Sequence, residues 1–123
     1  MEDIVSFELA KKLKEKGFNK RVRGYYWETG GLSICNTPMN SNALENEFSA
    51  PTISQVLKWL REEKVVDLVI YPIFIYEADS RTREYGCKIY STQLNKPIPS
   101  DGYYNCYEEA VLAGIKYVLD NLI

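Results

Sequence analysis

Apolar residues recur along this chain with two different periods. Phe7, Leu9, Ala10 and Leu13 form a helical stripe over Phe7–Lys16. Ser6 stands before it as a cap, and Gly17 follows where a left-handed residue would end the turn. Ile53, Val56, Leu57 and Leu60 repeat the helical spacing behind Thr52 and Gln55, whose separation is that of a capping box. Val111, Ile115, Val118 and Leu122 mark a last helix, begun either by Asn105 with Glu108 or, one residue on, by Cys106 with Glu109.

Between the helices the period drops to two. Val22–Glu28 and Leu32–Cys35 predict a hairpin through Thr29-Gly30-Gly31, with the two glycines supplying the positive φ of a tight turn. Val65–Glu77 is apolar on both alternating faces, Val66, Leu68, Ile70, Phe74 and Tyr76 against Val69, Tyr71, Ile73 and Ile75, which predicts burial on two sides. Pro72 inside it points to an edge strand or a bulge. Ala78–Arg83 reads as a turn and Glu84–Thr92 as the returning strand. Asn36–Ser49 and Leu94–Tyr104 read as loops, the first long enough to be a candidate for function. The order α-β-β-α-β-β-α predicts one α+β domain over 1–123: a mostly antiparallel sheet of about four strands with helices on one face. The second sheet face would then be covered by the first helix or by another molecule.

Composition narrows the chemistry. The chain has 123 residues, ten tyrosines, two tryptophans and no histidine. Lacking His excludes Ser–His and Cys–His nucleophile pairs and His-containing zinc sites. Cys35, Cys87 and Cys106 show no CxxC spacing and are expected to be reduced, buried as small apolar residues. No run nears the roughly 20 apolar residues of a membrane span, and Met1-Glu2-Asp3-Ile4 is not a signal-peptide opening, so a cytoplasmic location away from membranes is expected.

Three blocks carry a resemblance. They are Val5 through Phe18, Ala50-Pro51-Thr52 running to Trp59-Leu60-Arg61-Glu62, and Tyr107-Glu108-Glu109-Ala110 leading to Ala113-Gly114-Ile115. In this order they resemble a set of small uncharacterised α+β proteins of gut bacteria and their phages and mobile elements. The resemblance implies a genomic context and brings no functional residue with it. Where those proteins often have His-Gly after the second helix, this chain has Lys64-Val65.

Two constellations are worth weighing. Seven cations and one acid lie between Lys11 and Arg23, followed at once by Tyr25, Tyr26 and Trp27. Cations beside rings suit a single-stranded nucleic acid, through Lys20, Arg21 and Arg23; the alternative is a solvated helix face with strand aromatics in the core. Glu45, Glu47, Glu77 and Asp101 would make a carboxylate site only if folding gathered them. No phosphate loop or dinucleotide fingerprint is present. The aromatic surplus favours a different class, a non-catalytic interaction protein that meets a protein partner or a second copy of itself. Tyr25, Trp27, Trp59, Tyr71, Tyr103 and Tyr104 are the candidate contact residues, no cofactor is expected, and nucleic acid is the alternative partner.

Overall fold

The computed structural model describes residues 3–99 and 102–123, so Met1, Glu2, Ser100 and Asp101 lie outside the description. Its elements form two compact units, Met1–Trp59 and Leu60–Ile123.

In the first unit, α1 spans Phe7–Glu15. Ser6 Oγ accepts from the Leu9 amide at 3.2 Å, and Gly17 takes φ 90° after the last turn, as the sequence predicts. Strands β1 (Val22–Trp27), β2 (Leu32–Met39) and β3 (Glu47–Ala50) form an antiparallel sheet in the order β2-β1-β3. The turn differs from a two-glycine turn: only Gly30 has positive φ, and the Trp27 amide donates to Gly31 O. That is the three-residue hairpin loop with one left-handed glycine. Helix α2 spans Ile53–Trp59. Its capping box forms in both directions, Thr52 N donating to Gln55 Oε1 at 2.8 Å and Gln55 N to Thr52 Oγ1 at 3.2 Å.

The expected loop over Asn36–Ser49 is mostly built structure. β2 runs on to Met39, a 3₁₀ turn follows at Ser41–Ala43, and β3 takes the end. Polar side chains hold it, which is why no hydrophobic period announces it. Asn42 accepts from the Ser49 amide at 2.8 Å through Oδ1, and its Nδ2 donates to Phe18 O at 2.8 Å. Lys14 Nζ donates to the carbonyls of Leu44, Glu45 and Glu47 at 2.6, 3.3 and 2.8 Å. α1 packs on β3, with the Phe7 ring against those of Tyr26 and Phe48.

The second unit opens with a π-helical stretch, Leu60–Lys64, closed by Val65 at φ 55°. β4 (Val66–Tyr76) and β5 (Arg81–Ser91) then form an eleven-pair antiparallel hairpin without a bulge, and β6 (Ile98–Pro99) adds a short third strand beside β5. The protein is therefore α+β with two three-stranded antiparallel sheets rather than one sheet of four. β3 and β6 are too short to show an alternating pattern.

β4 is an edge strand, as Pro72 predicts. The structure also shows why proline fits there. Tyr85 exchanges both main-chain hydrogen bonds with Tyr104, so its amide and carbonyl point away from β4. Its partner Pro72 therefore sits at a non-bonded pair, and the missing N–H falls on the outer edge, where no ladder bond is lost.

Helix α3 (Tyr107–Asn121) packs on β4 and β5. It starts after Cys106, which makes no side-chain cap, so the box from Asn105 to Glu108 does not set the start. Ala110, Val111, Gly114, Ile115, Val118 and Leu119 are buried with Val66, Cys87 and Ile89. A Cβ on Gly114 would stand 2.6 Å from Cys87 Sγ and 3.2 Å from Leu68 Cδ1. Glycine thus sets how closely helix and sheet approach. Of the three cysteines, Cys87 is buried as expected, whereas Cys35 and Cys106 are half-buried.

Candidate interaction surfaces

The hairpin register sorts the second unit's aromatics by face. Directly paired residues share a side, so Leu68/Ile89, Ile70/Cys87, Pro72/Tyr85, Phe74/Arg83 and Tyr76/Arg81 form one face, row after row. α3 covers its inner rows. Gly114 lies over Leu68 and Cys87, and Tyr107, the first helical residue, packs edge-on against Tyr85 with centroids 6.0 Å apart. The helix begins at the Pro72/Tyr85 row. α3 does not extend over the two rows beyond, where Phe74 is 55% and Tyr76 74% exposed. Two-sided burial of β4 therefore fails at this end, for want of length in α3.

These outer rows carry a definite chemistry. The Phe74 and Tyr76 rings lie near-parallel, 24° apart in plane and 6.5 Å between centroids, near the outer limit of ring contact, leaving their surfaces free. Arg83 faces Phe74 across the strands and holds its guanidinium 5.1 Å from the Tyr85 ring centre, a cation–π contact. Arg81 faces Tyr76 and is exposed. Tyr103 is 63% exposed, while Tyr104 is half-buried and bridged to Tyr85.

The other hairpin face presents Val69, Tyr71, Ile73 and Ile75. α1, one of the two covers expected for it, packs on β3 of its own sheet. Its centre is closed locally. The Tyr71 ring lies against Gly86, where a Cβ would stand 2.5 Å from its Cζ, and Lys88 Nζ stands 5.3 Å from the same ring centre. Tyr71 is thus spent on its own sheet.

The basic segment of the first unit is divided by the fold. Lys14 is committed to three carbonyls, and Lys11 pairs with Glu8 at 3.2 Å above the Phe7 ring. Lys20, Arg21 and Arg23 are exposed. Strand alternation puts Arg23 on the same side of β1 as Tyr25 and Trp27, whose rings meet edge-on at 5.2 Å, with Trp27 Nε1 donating to Ser33 Oγ at 3.0 Å. Tyr26 faces the other way and donates its hydroxyl to Val5 O at 2.7 Å. Arg21 and Arg23 also line a cleft of about 300 Å³ over Gly24 and Ala50.

Trp59 leaves the list of contact residues. It is 3% exposed and packs edge-on against the buried Phe18, so it is scaffold. Phe74 joins the list instead. The sequence pattern groups it correctly with Ile70 and Tyr76; what it omits is where on that face the distant helix α3 would begin. Among the described residues, no group of three Cys, Asp or Glu side chains could hold a metal ion, and none of the helices is long and apolar enough to cross a membrane. Comparison with protein-family models, curated proteins and solved structures finds no match to this chain.

Proposed function

We propose that the protein is a small non-catalytic interaction module, cytoplasmic in location, whose principal contact surface is the outer end of the β4–β5 hairpin. The observation that supports this most is the exposure of Phe74 and Tyr76 on rows that α3 does not reach. Large rings left in water on a regular sheet face, flanked by arginines, have the composition of an interface hot spot. Trp27 and Tyr103 are further exposed rings, but the ring beside Trp27, Tyr25, is half-buried, and Tyr103 follows no strand row.

A photo-crosslinking residue in place of Phe74, introduced into cells that make the protein, tests the reading. A discrete adduct, missing when the same residue replaces Val69 on the opposite face, is the expected result. Equal labelling from both faces, or none from either, would remove the proposal. Placement of Arg23, Tyr25 and Trp27 on one side of β1 favours a second reading, a local single-stranded nucleic-acid contact. That contact should weaken at low salt when Lys20, Arg21 and Arg23 are neutralised together.

A further inference from the structure

We infer that the outer end of the hairpin receives an extended peptide segment of another protein, with two carboxylates on its facing side, two residues apart. The inference rests on reading this end as the contact surface and adds what is contacted.

Charge decides against a second copy. Phe74, Tyr76, Arg81 and Arg83 share the two outer rows, whereas Glu84 pairs with Ile73 and so faces the other way. A two-fold contact centred on this patch would gather four guanidiniums, and the two rows themselves hold no acid to offset them. The occupant has to bring the negative charge.

Charge also decides how that negative charge is distributed. Acids frame the patch: Glu77 and Asp79 at the hairpin turn, Glu108 and Glu109 in the first turn of α3, all four exposed. Leu60–Ile123 as a whole has seven cations against ten acids. A nucleic-acid strand carries a charge on every nucleotide and would have to lie across this acidic frame. A peptide can place carboxylates over the two arginines alone and neutral or basic residues over the frame.

The spacing fits as well. Arg81 and Arg83 are two residues apart on a strand, about 6.8 Å, the repeat of same-side residues in any extended peptide. Each guanidinium can hold a carboxylate with paired N–H donors, and the Tyr85 ring helps fix the plane of Arg83. The Phe74 and Tyr76 rings then take the apolar residues beside the carboxylates.

Fluorescence anisotropy with a labelled peptide, Lys-Val-Thr-Glu-Thr-Glu-Thr-Val-Lys, tests this. Its controls are the same peptide with both Glu replaced by Lys and a labelled twelve-residue thymidine strand. At about 50 mM salt the wild type should bind the Glu peptide at least about tenfold more tightly than the Lys peptide. Arg81→Glu with Arg83→Glu should reverse that preference, a gain that a misfolded variant could not show. Phe74→Thr with Tyr76→Thr should weaken binding at least about fivefold. No preference between the peptides would overturn the inference, and the Phe74 adduct would then judge the contact surface by itself. Tighter binding of the thymidine strand, lost in the double Glu variant, would overturn it in favour of nucleic acid.

Discussion

Lys14 shows how far a single side chain can depart from what its neighbours suggest. In sequence it belongs to a basic run; in the fold its ammonium has three carbonyl acceptors, as many as it has protons, and sits 4.8 Å from the Phe48 ring centre. It ties α1 to the segment leading into β3. Lys14→Met keeps the apolar stem and removes the donors, and should lower stability by about 1–3 kcal/mol in urea unfolding, allowing for its partial exposure. Val65 presents the opposite case. A β-branched residue at φ 55° bears a left-handed cost of about 1–2 kcal/mol. Val65→Gly should raise the urea midpoint by the equivalent of about 0.5–1 kcal/mol, since relief of strain exceeds the entropy that glycine adds to the unfolded chain. A lowered midpoint would show that the site is not strained. Caps such as Ser6, Thr52 and Gln55 are legible in the sequence because donor and acceptor lie within three residues. Lys14 is not, because its acceptors lie about thirty residues away.

Elements show the same division between local and distant causes. All three helices and the bodies of the two long hairpin strands follow from periodicity, but β5 begins at Arg81 rather than Glu84: Arg81–Arg83, polar and so read as turn, pairs with Phe74–Tyr76. Pro72, having no amide proton to give a neighbouring strand, marks the edge through its own chemistry. The short strands β3 and β6 do not follow, since they are defined by the partner they pair with rather than by a pattern of their own. Missing them turns two sheets into one. The seat of α3 on the hairpin is specified by Gly114 against Cys87. Gly114→Ala should cost about 1–3 kcal/mol by overpacking. In a Cys87→Ala background the added methyl has room, so the same substitution should cost less. Equal costs in both backgrounds, measured as a double-mutant cycle by chemical denaturation, would contradict close contact at this point.

Across the whole molecule the aromatic surplus divides into two populations that composition cannot separate. Phe18 and Trp59 are enclosed and hold the first unit together. Phe74 and Tyr76 are exposed on a regular strand that runs past the start of the helix covering it. The candidate site was half legible in this respect. Alternation gives the face on which these rings stand, and only the tertiary position of Tyr107 shows that the face is open there. Equilibrium urea unfolding of two variants distinguishes the two populations. Trp59→Ala should lose about 3–5 kcal/mol, as a buried aromatic does. Phe74→Thr with Tyr76→Thr keeps residues suited to a strand and should lose less than about 1 kcal/mol. A loss in the hairpin variant comparable to that of Trp59→Ala would mean that these rings belong to the core and are not a contact surface.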